Sequence, residues 1–278
     1  MKFLYSEWED FCEGLDKVGL HSITTDDIFD GHILSERNII ALKHDVESSP
    51  EKALKIAQVE AKYHHKATYF VQSYLMTEEN NHIFTEIKSL GHLVSLHHDV
   101  MVGSQGDILK AIDIYQKDLD KFEMLGYKFQ TVCQHGNPMT NFSNRDFFRN
   151  ELVQKKYTAM ADIMVDFIDK SCQKYIYISD AGMGFKIIFD PLFNDKIPSD
   201  DKNIPLGDLD KVLTHIKQSP KDTCYIVSSH THRYNSSAFK ASIRIGIFKV
   251  IRIVGKTLYK VPFLKNLLSH FYFIQKKL

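Results

Sequence analysis

The fold is decided by residues 41–71, ALKHDVESSPEKALKIAQVEAKYHHKATYFV, because they contain a strand, a helix and a second strand in that order. The apolar run Ile39–Lys43 predicts the first strand, and the aromatic and β-branched run Ala67–Val71 predicts the second. Between them, Ser48-Ser49-Pro50-Glu51 predicts a helix start, since proline is tolerated at the first helical position. Such a unit predicts parallel strands joined by an outer helix.

The same alternation continues along the chain. Helices are predicted at Glu78–Leu90 and Asp107–Leu125, each followed by a glycine suited to a helix end. Further strands are predicted at His92–His97, Thr131–Cys133, Thr158–Ala161, Tyr175–Ile178, Lys186–Phe189 and Cys224–Ser228. This pattern indicates an α/β protein with a mainly parallel sheet. The number of strands suits a closed or nearly closed β/α barrel, with an open doubly wound sheet as the alternative.

The composition of the 278-residue chain, with 44% hydrophobic and 25% charged residues, excludes a disordered protein. No GxGxxG or GxxxxGK[ST] motif supports nucleotide binding of the common kinds. No uncharged apolar run reaches the roughly 18 residues of a membrane span, and the N-terminus lacks a signal-peptide pattern. The four scattered cysteines are interpreted as reduced thiols, so a cytoplasmic protein is expected.

The formal net charge of zero conceals a basic C-terminal segment. From Tyr234 to Leu278 there is no Asp or Glu, while nine Lys or Arg occur. Apolar residues recur there at spacings of three and four, which predicts a cationic amphipathic helical tail over 236–278. A β/α barrel is expected over 1–235, with residues 1–38 as a capping segment. The tail either packs on the barrel or lies on the anionic inner face of a membrane. Nucleic-acid binding is not expected.

Four polar clusters directly follow predicted strands. They are Lys43–Glu47, His97–Asp99, Gln134–Pro138 and Ser228–Arg233. Parallel β/α folds build their sites at this end of the strands, although each cluster alone could be a helix cap or a surface group. In an extended backbone Asp45 and Glu47 point to the same side, so one can hold a divalent cation while the other faces a water. Imidazoles from other clusters would complete a three-ligand site of the catalytic zinc type.

These clusters resemble the motifs of the NodB-like polysaccharide deacetylase superfamily, also called carbohydrate esterase family 4. Residues 41–71 are similar to its first motif, GHLVSLHHD (91–99) to its second and CQHGNP (133–138) to its third. YISDAG (177–182) and YIVSSH (225–230) are similar to later motifs. The resemblance covers residues 38–233. It implies a distorted (β/α)7 barrel that hydrolyses an N- or O-acetyl group on a sugar with a divalent metal, expected to be zinc, with cobalt or nickel as alternatives.

The resemblance also implies roles for individual residues. Asp45 matches the general base, Glu47 the metal-binding acid, His97 the first metal histidine and His230 the general acid. The family has a second histidine where this chain has Met101. The third ligand is therefore predicted to be His135, with His98 and Asp99 as alternatives. The arginine that orients the base in the family is missing, and His44 or Arg233 are candidates to replace it.

The resemblance implies a carbohydrate substrate in glycan or cell-envelope biosynthesis, and a membrane-bound tail would suit an enzyme that acts on a lipid-linked sugar. Two alternatives remain at this point. One is a catalytically inactive glycan-binding or scaffold protein on the same fold, and the other is a hydrolase that cleaves the C–N bond of a small amide.

Overall fold

The computed structural model describes residues 2–31, 38–136, 140–171, 175–180, 182–188, 203–221, 223–243 and 246–247. Nine strands in these residues form one sheet: β1 (Ile39–Val46), β2 (Ala67–Val71), β3 (Leu93–His98), β4 (Thr131–Gln134), β5 (Ala161–Asp162), β6 (Ile176–Ser179), β7 (Phe185–Ile188), β8 (Ile204–Gly207) and β9 (Cys224–His230). The strand order is β5-β4-β3-β2-β1-β9-β6-β7-β8. The predicted mainly parallel α/β fold is thereby confirmed.

Ten α-helices are described around this sheet: α1 (Tyr5–Asp16), α2 (Thr25–Phe29), α3 (Pro50–Lys62), α4 (Glu78–Ser89), α5 (Val100–Gly103), α6 (Ile108–Met124), α7 (Arg145–Arg149), α8 (Glu151–Lys156), α9 (Phe167–Ser171) and α10 (Leu209–Gln218). Two 3-10 turns lie at Ser73–Leu75 and Thr231–Arg233. The helix α3 has Pro50 at its start, as predicted, and Asp107 caps α6 by accepting from two backbone N–H groups.

Strand β7 departs from the parallel pattern, because it pairs with β6 and β8 in antiparallel fashion, whereas β6 pairs with β9 in parallel. Only residues 180–184 separate β6 from β7, whereas a parallel crossover needs about a dozen residues or more. Gly182 and Met183 have φ angles of 82° and 69°, which the tight hairpin turn requires. The strand β8 was absent from the sequence-based prediction.

The sheet is curved around an inner core. Apolar side chains from β1, β2, β4, β5, β6 and β9 meet in one buried cluster, although β5 and β6 are far apart in the strand order. The Tyr175 hydroxyl, just before β6, donates to the carbonyl of Ile163, just after β5. Within the described residues no strand pairing joins β5 to β6. The described strands therefore form a strongly curved, mainly parallel sheet around this core.

The helix α2 covers the amino ends of the strands. Thr25 N–H donates to Thr68 Oγ1 at 2.9 Å, and Thr25 Oγ1 lies 2.5 Å from Thr131 Oγ1. Asp26 accepts from the backbone N–H groups of Gln130 and Thr131. Since Thr68 and Thr131 stand at the beginnings of β2 and β4, these contacts close one end of the barrel. The polar clusters lie at the other end.

The predicted tail is described only in part. Residues 238–243 and 246–247 are helical, and the rest of the predicted helix over 236–278 lies outside the described residues. Phe239, Ile243 and Ile247 are 74%, 46% and 43% exposed. Among the described residues, no helix has both the length and the apolar character that crossing a bilayer requires. Cys12, Cys133 and Cys224 are buried free thiols, whereas Cys172 lies outside the described residues.

Candidate metal centre

The strand β1 supplies the carboxylates of the site. All eight of its residues are buried, so its side chains alternate between the interior of the barrel and the layer below the helices. Lys43 and Asp45 point inward, whereas His44 points outward to Glu60, with His44 Nε2 at 2.6 Å from Glu60 Oε1. Glu47 follows the end of β1 and returns to the inner side.

Glu47, His97 and His135 converge on one point, and we call them the inner trio. His135 Nε2 lies 3.2 Å from Glu47 Oε1, and His97 Nε2 lies 3.8 Å from the same oxygen. The three ligand atoms all lie within 4.8 Å of one another. All three residues are buried. Glu47 follows β1, His97 lies in β3 and His135 follows β4, and these strands run parallel in the sheet with β2 between β1 and β3.

The remaining nitrogen of each imidazole is bound to an acceptor. His97 Nδ1 donates to the Cys133 carbonyl at 3.0 Å, and His135 Nδ1 donates to Asp99 Oδ2 at 3.1 Å. The Asn144 amide holds this arrangement by donating to Asp99 Oδ1 at 2.6 Å and to the His135 carbonyl at 2.7 Å. Both imidazoles therefore present an Nε2 lone pair toward Glu47, as metal-binding histidines oriented by an oxygen acceptor do.

This donor set fits a divalent cation. Burial opposes the charge on Glu47, but its interactions with His135 and His97 outweigh burial and hold the pKa of Glu47 well below its usual value. Burial lowers the pKa of His97, which favours the neutral imidazole. An ionised carboxylate oxygen and two imidazole nitrogens, all within 4.8 Å of one another, can share one divalent cation. One oxygen and two nitrogen ligands also match catalytic zinc sites.

Asp45, His97 and Cys133 form a second group with metal-ligand spacing. A cation, the ammonium of Lys43, already lies beside Asp45 in this group. The Lys43 ammonium lies 2.5 and 2.7 Å from the two Asp45 oxygens and 3.2 Å from Ser228 Oγ. Burial opposes the charge on Asp45, but the charge of Lys43 lowers the pKa of Asp45 to about 2. We therefore place the metal at the inner trio and the ammonium at Asp45.

Lys43 binds Asp45, the candidate base, and takes the place that the sequence analysis gave to His44 or Arg233. The proposed substitutes were wrong, because His44 points to the opposite face and Arg233 binds Asp180 instead. The sequence could have indicated Lys43, since residues two apart on a strand share a face and Lys43 is two residues before Asp45.

His230 lies on the far side of Asp45. Its Nε2 is 3.8 Å from Asp45 Oδ2, and its Nδ1 is 2.7 Å from Asp180 Oδ1. Burial opposes the charge on Asp180, but Arg233 and His230 hold the pKa of Asp180 well below its usual value. The ionised Asp180 thus fixes the ring of His230. The His230 side chain is 19% exposed, compared with 9% for Asp45, so it borders the mouth of the site.

The other two candidates for the third ligand occupy different positions. His98 faces the helices, where its Nε2 lies 2.8 Å from Asp162 Oδ2 in a fully buried pair. Asp99 is engaged with His135 Nδ1 and Asn144. Met101 is buried in the apolar core. The structure thus brings Asp45, Glu47, His97, His135 and His230 together at one end of the barrel and separates His98 from them.

No protein-family model and no curated protein matches this sequence. Solved structures with a similar fold include a carbohydrate esterase family 4 esterase from Streptococcus mutans, with TM-score 0.48 and 12% identity over 84% of this chain and 88% of that chain. Another is the peptidoglycan deacetylase PdaC from Bacillus subtilis, with TM-score 0.38 and 16% identity over 78% of this chain and 97% of that chain.

A third is the Xyl-CE4 domain of a multidomain xylanase from the hindgut metagenome of Trinervitermes trinervoides, with TM-score 0.38 and 13% identity over 70% of this chain and 74% of that chain. These structural neighbours are esterases and deacetylases of the kind that the sequence motifs resemble. Because the TM-scores are below 0.5, we base the proposed function on the geometry of the site.

Proposed function

We propose that this protein is a metal-dependent hydrolase that removes an acetyl group from an N- or O-acetylated sugar. The observation that carries the proposal is the position of Asp45 between the inner trio and His230. Asp45 Oδ1 lies 4.0 Å from His97 Nε2, and Asp45 Oδ2 lies 3.8 Å from His230 Nε2. A base therefore lies beside the cation-binding position and an acid lies next to that base, which are the groups that acyl hydrolysis requires.

Glu47, His97 and His135 would hold the metal. A divalent cation bound there would polarise the acyl carbonyl and acidify a water molecule. Zinc suits one carboxylate and two imidazoles, and cobalt or nickel could take the same ligands.

Asp45 acts in this proposal as the general base. With its pKa lowered to about 2, Asp45 is ionised at neutral pH and can accept a proton. Lys43 is a positioning residue, since its ammonium binds both oxygens of Asp45.

His230 acts as the general acid. The carboxylate of Asp180 accepts from Nδ1 and orients Nε2 toward Asp45. From the mouth of the site, His230 Nε2 can give a proton to the departing amine or alcohol. The sugar would then lie toward the outer side of the mouth, with its acetyl group directed inward.

The first test is metal content and activation. The purified protein should contain zinc, cobalt or nickel or be activated by one of them, as measured by elemental analysis and by acetate release from acetylated sugars. A chain that binds none of these metals and hydrolyses no acetylated sugar would be a binding or scaffold protein. Acetylated sugars compared with small cyclic amides would separate the deacetylase from the small-amide hydrolase.

We also propose that residues 236–278 form a separate tail that binds an anionic membrane surface, so that a lipid-linked sugar can reach the barrel. Support comes from the exposed Phe239, Ile243 and Ile247 on the described turns and from the absence of acids after Tyr234 in the sequence. Flotation with vesicles containing phosphatidylglycerol should be reduced by F239S/I243S. The matched control is L109S/M124S, which removes exposed apolar residues from α6 and its end. Equal flotation of both variants would exclude the anchor.

A further inference from the structure

A cleft of about 180 Å³ lies between α1, the first turns of α3 and the segment after the 3-10 turn Thr231–Arg233. We call it the lysine cleft; its lining consists of Lys52, Lys55, Lys240, Tyr5, Tyr234 and residues 235–237. Within the part of the chain that the structure describes, no acidic side chain lines it. Three ammonium groups around one concave surface favour an anion.

The back wall of the lysine cleft is held by hydrogen bonds. Tyr5 N–H donates to the Asn235 carbonyl at 3.2 Å, and Asn235 N–H donates to the Phe3 carbonyl at 2.9 Å. Tyr234 is buried and packs edge-on against Phe3 at 5.6 Å between ring centroids. Lys52 Nζ donates to the His232 carbonyl at 2.9 Å. The cleft is therefore formed before any ligand binds, which lowers the entropic cost of binding.

The lysine cleft lies next to the candidate metal centre. The helix α3 starts three residues after Glu47, so Lys52 and Lys55 are at the same end of the barrel as the inner trio. The His232 ring, whose backbone binds Lys52, has its centroid 5.7 Å from the ring centroid of His230. The lysine cleft and His230 are therefore joined through His232, which contacts both Lys52 and His230.

A hydrogen-bonded path also connects the two sites. Ser229 Oγ lies 3.1 Å from the Tyr234 hydroxyl and 3.4 Å from Asp180 Oδ2, and Asp180 holds His230. The wall of the lysine cleft and the group that orients His230 are therefore parts of one packed unit.

We propose that the lysine cleft binds a phosphate or diphosphate group carried by the sugar substrate, so that the substrate is a phosphorylated or phosphate-linked acetylated sugar. Lysine is a common phosphate ligand that acts as a mobile point charge, and three lysines suit a group of two or more negative charges. The substrate class rests on the proposed hydrolase function, whereas the existence of an anion site does not.

Calorimetric titration with inorganic pyrophosphate tests the anion site. The variant K55M/K240M removes two charges and keeps the side-chain stems, and it should weaken binding by about 10–100-fold. The control K66M/K128M removes two exposed lysines near the amino ends of β2 and β4, and it should bind like the wild type. Because pyrophosphate also binds metals, the titration is repeated after chelation, and the difference should persist. Equal affinities in the three proteins would overturn the proposal.

Kinetics test whether the phosphate belongs to the substrate. With an N-acetylhexosamine 1-phosphate and the free sugar compared, K55M/K240M should lower the ratio of the two kcat/KM values about tenfold, through KM. If instead these lysines affect only binding to phosphatidylglycerol vesicles, the phosphate is a lipid headgroup and the substrate assignment is overturned. If no acetylated sugar is hydrolysed, the proposed function fails, while the pyrophosphate titration still decides the anion site.

Discussion

Two buried glutamates, one on each side of β1, have different surroundings. On the helix side, Glu60 accepts from the Trp8 indole N–H at 3.1 Å and from the Tyr69 hydroxyl at 2.6 Å, and His44 Nε2 lies 2.6 Å away. On the inner side, Glu47 faces the Nε2 atoms of His97 and His135, whose protons are on Nδ1. Residue types and burial are therefore similar in the two clusters.

The two clusters differ in the groups that face the carboxylate. Around Glu60, an indole and a phenol can only donate to a carboxylate in this geometry, so the buried charge is satisfied by the protein itself. Around Glu47, the neighbouring Nε2 atoms belong to imidazoles, which can serve as metal ligands, whereas an indole N–H and a protonated phenol do not. The chemical identity of the partners thus separates a structural polar cluster from a candidate cation site better than the count of histidines.

The largest effect is expected from Asp45→Asn, which removes the proposed base beside the inner trio. Acetate release should fall by about 10²–10⁴-fold, because general base catalysis contributes that much. Metal content should remain, since the ligands of the inner trio are unchanged. Full activity in this variant would remove Asp45 as the base.

The next effect concerns the affinity for metal. Glu47→Gln should weaken binding of zinc by more than about 100-fold, since loss of a neighbouring orienting group alone costs about 10–100-fold. Glu60→Gln is the matched control, and it should bind metal like the wild type. Zinc affinity equal to that of the wild type in Glu47→Gln would remove Glu47 as a ligand.

A smaller effect is expected at Asp99, which holds His135 Nδ1. Asp99→Asn should weaken zinc binding by about 10–100-fold and leave the stoichiometry at one. Competition with a chromophoric chelator measures both quantities. Asp107→Asn, at the exposed start of α6, serves as the control, and an affinity change of equal size there would argue against a specific role of Asp99.

The smallest effect is the dependence of stability on pH in the chelated protein. Burial opposes the charge on Glu60, but His44 and His92 keep the pKa of Glu60 below the usual 4.5. The stabilising contribution is therefore complete above pH 4.5 and is lost as the pH falls through the lower folded-state pKa.

Other groups around Glu60 bear on the same experiment. Burial lowers the pKa of His92, which adds a loss of stability as the pH falls below about 6.5. Burial raises the pKa values of Tyr69 and Cys12, so these groups stay protonated in acid. Urea unfolding between pH 3 and 7 should show a smaller acid loss for Glu60→Gln than for the wild type. Identical profiles would show that the pKa of Glu60 is the same in the folded and unfolded states.

Much of the fold was predictable from local patterns. The segment 41–71 contains its strand, helix and strand close to the predicted bounds, because burial on both faces of β1 and β2 produces continuous apolar runs. The hairpin of β6 and β7 was missed, although the short DAGMG connection at 180–184 is too short for a parallel crossover.

The site was predictable where its residues follow strands, because parallel strands bring their carboxyl ends together. Asp45, Glu47, His97, His135 and His230 were named on that ground, and their chemical roles remain proposals. Asn144 and Asp180 were not assigned, since their functions depend on contacts across the fold rather than on spacing. The alternatives His98 and His44 point to the helix side, which the strand alternation relative to His97 and Asp45 could have indicated.

The buried ammonium of Lys43 has a consequence for the order of assembly. Because it neutralises Asp45, this carboxylate is compensated before any metal binds. Small zinc domains, by contrast, remain unfolded until their ion arrives. This chain therefore carries its own internal counter-ion, and we expect a barrel that matures empty and is loaded afterwards with whichever ion the cell supplies.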